Sequence, residues 1–254
     1  MTAEFPQSIK SFGADRVDGE YVPAADMNTV RAEIVALETT LLSGGWQAAI
    51  GTWTYASATT ITVPSGAAAI YSVGDKLMLT QTTVKYFYVV AVADTLLTIS
   101  GGSSYTLTNA AISANYYSKM ATPVGFPQWL NYTPTGISAT NVTLTGQFMI
   151  AGRMCFVNFK AAFAGGITFT TMPTLPVTAS ASLIQQGAYI DQAGVGGYWD
   201  SGVYWYPNSV WPLILASGTT VTLATGANST NISATSPITW ANLDVIIAHF
   251  SYMI

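Results

Sequence analysis

An aromatic-rich stretch between residues 189 and 211 holds the side chains best suited to binding chemistry. Aromatic rings offer large, rigid contact surfaces at low entropy cost, and nearby carboxylates accept hydrogen bonds from hydroxyl groups. This combination suits contact with a sugar or a protein, but the same rings also suit packing in a core or between subunits. The stretch contains four tyrosines, three tryptophans and two aspartates: Tyr189, Asp191, Tyr198, Trp199, Asp200, Tyr204, Trp205, Tyr206 and Trp211.

The segment GGYWDSG places Tyr198, Trp199 and Asp200 between glycines. Glycine-flanked, exposed loops on a rigid scaffold are a common place for recognition. We therefore expect the two rings to stack on sugar faces while Asp200 accepts hydrogen bonds from sugar hydroxyls. In the alternative interpretation, Trp199 fills the bottom of the core.

Strand alternation makes a second prediction for the same stretch. Side chains two residues apart share a face of a strand, so Tyr204 and Tyr206 should lie on one face and Trp205 on the other. Packing and ligand contact both remain open for these residues. The candidate receptor or carbohydrate contacts are Tyr189, Asp191, Tyr198, Trp199, Asp200, Tyr204, Trp205 and Tyr206.

Catalytic groups are scarce in the rest of the chain. The single histidine, His249, lies in an apolar strand pattern, and the single cysteine, Cys155, lies in another. A structural histidine and a buried, inert thiol are the simpler interpretations. A glycosidase needs two carboxylates beside the scissile bond, and Asp191 with Asp200 is the one pair in an aromatic neighbourhood, where turn formation explains both more simply. We expect no enzyme activity, no metal and no cofactor.

The composition limits the classes of partner. Charged residues make up 8% of the 254 residues, far below the usual value of about 25%, and the formal net charge is −4. Such a chain has no general attraction for nucleic acid or for an anionic membrane. No apolar run approaches the roughly 20 residues of a spanning helix, and the start lacks a signal-peptide pattern. We expect a protein made in a reducing cytoplasm, without nucleic-acid binding or membrane insertion.

Charge is concentrated at the N-terminal end. Ten of the 20 charged residues lie between Glu4 and Glu38, and the remaining 216 residues hold the other ten. Residues 1–25 show no apolar period and predict an irregular or partner-dependent segment. Residues 26–45 follow with a helical pattern, so the sequence predicts a polar N-terminal portion ahead of a hydroxyl-rich body.

The helical pattern at 26–45 has an apolar seam with the spacing of a coiled coil. Apolar residues recur at intervals of 3, 4, 3 and 4, with Asp26 as the expected N-cap and Gly44 with Gly45 ending the helix in a left-handed turn. Two interpretations remain open: a short axial helix of an oligomer, or an amphipathic helix packed on its own domain. The seam consists of Met27, Val30, Ile34, Leu37 and Leu41.

The body is predicted to be mainly β. Short runs rich in Thr, Val and Tyr, separated by turn residues, favour a small β-barrel or sheet over residues 46–120. Two prolines and a glycine make residues 121–127 the best linker. Nine further short strands over residues 128–254 favour a jelly-roll-like β-sandwich, with another Greek-key arrangement left open.

Several of these segments resemble proteins of tailed bacteriophages. The segments WTYASATTITV and YYSKMATPVGFPQWLNYTPT are similar to a β module of phage fibre and tail proteins. The segments GRMCFVNFKAAF and VIIAHFSYMI resemble the jelly-roll head domains of receptor-binding and head- or tail-fibre proteins. The opening FPQSIKSFGADR is similar to the virion-anchoring start of such proteins.

This resemblance implies a function without catalysis. A protein of that family would be a homotrimer in the virion, attached through residues 1–45 to another tail or capsid protein, and would recognise a glycan or protein of the host surface through its C-terminal β domain. A capsid decoration or head-fibre protein that stabilises the shell is the first alternative. A polysaccharide-depolymerising tail spike and a cellular carbohydrate-binding module are further alternatives.

Overall fold

The computed structural model describes residues 24–137, 141–165, 172–182, 191–225 and 230–254. Within them, one long helix precedes two antiparallel β-sheets, so the predicted mainly β fold is confirmed. Most of the predicted anchor at 1–25 lies outside the described residues. No helix in the described ranges is long and apolar enough to span a bilayer.

Helix α1 (Ala24–Leu42) confirms the predicted helix and corrects its start. Asp26 lies inside the first turn rather than ahead of it, so its assignment as N-cap is wrong. In that turn its carboxylate still interacts favourably with the helix dipole. The predicted end is confirmed, because Gly44 and Gly45 both have left-handed backbone angles, with φ values of 67° and 88°.

The first sheet is built from residues 47–118 in the order β1-β7-β4-β5-β6-β3-β2. Three of the six neighbouring pairs, β2 with β3, β4 with β5 and β5 with β6, are antiparallel and joined by short turns, as the spacing of turn residues predicted. Its elements are β1 (Gln47–Ala48), β2 (Thr54–Ser57), β3 (Thr60–Thr62), α2 (Ala67–Ile70), β4 (Lys76–Thr80), β5 (Val84–Ala93), β6 (Leu96–Ser100) and β7 (Ser113–Ser118).

Strand β5 joins the two sheets because its alternate side chains enter different cores. Phe87 packs into the core of the first sheet, while Tyr88 packs into the core of the second. The Tyr88 ring lies 5.0 Å from that of Phe126 and 6.1 Å from that of Phe148, and its hydroxyl donates to the Gln128 carbonyl at 2.7 Å. The predicted linker at 121–127 therefore lacks strands but is packed through Phe126.

The second sheet follows the order β15-β14-β13-β12-β16-β10-β9-β8. Strand β16, the last in sequence, lies between β10 and β12. Residues from strands at both ends of the sheet belong to one buried core, as in a sandwich or barrel. The strands are β8 (Leu130–Tyr132), β9 (Val142–Ala151), β10 (Met154–Ala164), β11 (Asp191–Gln192, paired with β13), β12 (Gly194–Asp200), β13 (Tyr204–Ile214), β14 (Val221–Thr225), β15 (Thr230–Asn231) and β16 (Asn242–Met253).

Strict alternation along β10 separates an inner face from an outer face. Cys155, Val157 and Phe159 are buried, whereas Phe156 and Lys160 point outward and are exposed. Burial raises the pKa of the Cys155 thiol to about 12, so it stays protonated at neutral pH. The predicted buried, unreactive cysteine agrees with this geometry.

Buried tyrosines predict a defined alkaline limit of stability. Burial raises the pKa of Tyr71 and of Tyr88 from the ordinary 10.0 to about 12. Because each folded-state pKa lies above the unfolded value, the stabilising contribution is complete below pH 10 and is lost as the pH rises toward 12. In that window, each of these tyrosines lowers the free energy of unfolding by about 1.4 kcal/mol per pH unit. Circular dichroism should therefore show loss of β-structure between pH 10 and 12.

Two variants test this origin of the alkaline transition. Tyr132 is buried, and among the described residues its hydroxyl has no hydrogen-bond partner. Replacing Tyr132 by Phe removes one ionisable group without breaking a described hydrogen bond, so the unfolding midpoint should move to higher pH. Tyr204→Phe is the control, because the exposed Tyr204 hydroxyl should leave the midpoint unchanged. An unchanged midpoint in Tyr132→Phe would contradict the assignment.

Candidate functional site

The segment expected to form a glycine-flanked loop is instead a β-hairpin. Tyr198, Trp199 and Asp200 lie in β12, and the turn to β13 occupies only residues 201–203. The Val203 amide closes this turn by donating to the Asp200 carbonyl at 3.0 Å. The loop prediction is therefore wrong, because Gly196 and Gly197 serve close strand packing and only Gly202 lies in the turn. A Cβ on Gly196 would lie 2.3 Å from the Ile247 carbonyl oxygen of the neighbouring strand.

Three tyrosines of the hairpin lie on its inner side. Tyr198 is only 6% exposed, stacks on Tyr206 with ring centroids 4.6 Å apart, and meets the edge of Trp240 at 5.7 Å. Tyr204 extends beyond the core and contacts Tyr206 edge-to-face at 5.5 Å. The predicted common face of Tyr204 and Tyr206 is confirmed. Tyr198 is a core residue in this arrangement.

The two tryptophans of the hairpin lie on the outer side. Trp199 pairs across the hairpin with Trp205 and is 41% exposed, so the alternative in which Trp199 fills the core is wrong. The Trp205 ring lies close to the backbone of β12 because residue 197 is glycine. A Cβ on Gly197 would be 2.8 Å from the Trp205 ring. Trp199 and Trp205 are thus the predicted contacts that face outward.

The strand register places the backbones of the two candidate aspartates at opposite ends of β13. Asp191 pairs with Ile214 at one end of β13, whereas Asp200 pairs with Tyr204 at the other end. Tyr189 lies outside the described residues. Nor do the described ranges contain a group of three or more His, Cys, Asp or Glu side chains placed to hold a metal ion.

A polar row on the outer face of the second sheet was missed by sequence reasoning. Asn131, Gln147, Asn158 and His249 lie side by side on β8, β9, β10 and β16. Gln147 Nε2 donates to Asn131 Oδ1 at 3.1 Å, and His249 Nδ1 lies 2.8 Å from Asn158 Oδ1. These contacts hold four hydrogen-bonding side chains in fixed positions on an exposed surface.

This polar row separates two shallow depressions that share Asn158 and His249. One depression, of about 510 Å³, is the more polar of the two and includes Thr145, Lys160 and Ile247 in its lining. The other, of about 460 Å³, is mainly apolar. Its lining includes Trp129, Met149, Phe156, Val195 and Ser251.

A second exposed surface follows helix α1. The seam residues with described side chains, Met27, Val30, Ile34 and Leu37, are between 40% and 58% exposed. The side chain of Leu41 lies outside the described part of the structure. The expected alternative of a seam packed on its own domain is therefore not observed for these four residues.

The exposed apolar surface continues from the helix onto the body. Leu42 at the helix end is exposed, and so are Met120 and Val124 close by. The Val124 amide donates to the Gly44 carbonyl at 2.9 Å, and its carbonyl accepts from Trp46 Nε1 at 2.8 Å. The base of the helix is thus fixed to the body beside this apolar surface.

Comparisons with models of protein families, with curated proteins and with solved structures found no match for this chain. The two candidate functional surfaces are the exposed seam of α1 and the outer face of the second sheet.

Losses of stability of very different size are expected for substitutions of two adjacent residues of β12. Tyr198→Ala should lower the free energy of unfolding by about 3–5 kcal/mol, because it empties a buried aromatic position. Trp199→Ala should cost less than about 1 kcal/mol, because that ring lies on the outer surface. Urea unfolding of both variants measures the difference. Equal losses of stability would contradict the assignment of the two faces.

Proposed function

We propose that this chain is a non-enzymatic, homotrimeric virion protein of the tailed-phage fibre type. Residues 1–45 would attach it to another virion protein, and the outer face of the second sheet would meet the host surface. The observation that carries the proposal is the exposed apolar seam of α1.

The seam supports association of identical chains. Its apolar residues recur with heptad spacing but are exposed in the single chain. Most of the stability of a helix in a protein comes from packing of its apolar face, so α1 needs packing partners. Full burial of a Val, Leu, Ile or Met side chain contributes about 1.5–3 kcal/mol. Parallel copies of α1 would supply that burial, and the number three follows from the resemblance to fibre proteins.

The distribution of charge supports an anchor at the N-terminal end and an exposed body. Half of the charged residues precede residue 39, where polar contacts to another virion protein are proposed. The body beyond them carries few charges and keeps hydroxyl and amide side chains outward, as in the strand Val142–Ala151. Such a surface stays hydrated while apolar faces are covered in an oligomer.

A charge placed in the seam should break the assembly. Ile34→Glu would bring three carboxylates together at the helix axis, where desolvation and like-charge repulsion oppose association. Sedimentation velocity at micromolar concentration should show a trimeric wild type and a smaller variant with unchanged β-sheet content. Val203→Glu is the control, since Val203 is also apolar and exposed but lies in the hairpin turn far along the chain. A trimeric Ile34→Glu variant would contradict a role of the seam in assembly.

Removal of the N-terminal portion should separate folding from attachment. A chain of residues 46–254 keeps Trp46, which belongs to the buried core, and both sheets. We expect it to remain soluble and β-rich but to be missing from purified virions. Immunoblots of virions assembled with the full or the shortened chain measure this. Normal incorporation of the shortened chain would refute attachment through residues 1–45.

A further inference from the structure

We propose that the outer face of the second sheet binds a saccharide that carries an acidic group. Lys160 would contact the acidic group, and the polar row of Asn131, Gln147, Asn158 and His249 would contact hydroxyl groups. The host surface as the source of this saccharide rests on the proposed function; the binding chemistry rests on the site itself.

The polar row has hydrogen-bonding capacity left after its internal contacts. Asn131 Oδ1 accepts from Gln147 Nε2, which leaves the Asn131 amide nitrogen as a donor and the Gln147 oxygen as an acceptor. Asn158 Oδ1 accepts from His249 Nδ1, which leaves the Asn158 amide nitrogen as a donor and His249 Nε2 as an acceptor. Donors and acceptors thus alternate along the row. Hydroxyl groups, which both donate and accept, match such a surface.

The internal hydrogen bonds also orient the row before any ligand arrives. Long amide side chains on a sheet surface lose rotamer freedom when they bind, which weakens affinity. Here Gln147 is already held by Asn131, and Asn158 by His249. Folding has therefore already restricted these side chains, so ligand binding would cost less side-chain conformational entropy.

An apolar surface adjoins the row on one side. Phe156 precedes Asn158 by two residues on the same face of β10, at a distance of about 6.6 Å along the strand. Phe156 and Trp129 are exposed and line the apolar depression. Sugars present an apolar face of C–H groups beside a rim of hydroxyls. A saccharide lying across β10 would therefore meet rings on one side and amides on the other.

Lys160 is the cation on the opposite side of the row among the described residues that line the two depressions. Lys160 follows Asn158 by two residues on the same face, and none of the described residues that line either depression is a carboxylate. This contrasts with Lys85, whose ammonium donates to Gln81 Oε1 at 3.0 Å and to the Thr106 carbonyl at 2.7 Å. In a chain with a net charge of −4, an unopposed lysine in this position favours an anionic ligand group. Burial of this ammonium under an apolar protein surface would be costly, which disfavours a second copy as the occupant.

The test uses the full chain on an array of bacterial saccharides that contains acidic members and their neutral counterparts, such as galacturonate and galactose oligomers. Wild-type protein should bind acidic members more strongly than neutral ones, and high salt should reduce the difference. Lys160→Met should weaken binding to the acidic members about tenfold or more and leave binding to neutral members unchanged. Asn158→Ala should weaken both. Lys119→Met is the control, because it removes an exposed lysine next to the first sheet.

Several outcomes would overturn the proposal. They are absence of binding to every acidic saccharide, equal binding of acidic and neutral members, and an unchanged preference in Lys160→Met. A change in the oligomeric mass of Lys160→Met would identify the face as a contact between copies. Failure of the proposed function is separate, since a chain absent from virions could still bind acidic saccharides, and a virion protein could bind none.

Discussion

The apolar seam of α1 is the feature on which the proposed assembly depends. Four apolar side chains with coiled-coil spacing lie exposed on a helix of 19 residues, above a body with few charges. Water disfavours that surface, and a helix of this length gains most of its stability from packing. Identical helices in parallel would cover the seam in every copy. This would place the N-terminal segments together at one end and present the β body repeatedly.

The β body, in contrast, is held together within one chain. Tyr88 and Phe126 join the two sheets, and strict alternation in β10 and β16 gives the second sheet one buried face and one outer face. Side chains on the outer face do not pack in the core, so they are available for contact with a ligand. The arrangement of rings, amides and one lysine on this face is a consequence of strand register, since these groups come from four different strands.

Patterns among neighbouring residues predicted local structure well. Features that depend on the pairing of strands distant in sequence were not predicted. The heptad spacing gave the helix, and alternation placed Tyr204 and Tyr206 on one face, because both depend only on neighbours in sequence. The strand at 194–200 was mistaken for a loop, since its glycines suggest turns until the neighbouring strand is known. The polar row was missed for a related reason. Asn158 and His249 lie 91 residues apart, and only the register of β10 with β16 brings them together.

The most direct measurement of the central claim is the distance between α1 helices of different copies. A nitroxide label can be attached at Glu38→Cys, an exposed position beside the seam, because the only native cysteine, Cys155, is buried and unreactive toward the label. Packed helices have axes about 8–10 Å apart. The account predicts strong dipolar coupling between labels in fully labelled protein, which disappears on dilution with unlabelled chains. Fully labelled protein without coupling would show that the seams do not face one another, and would contradict the account.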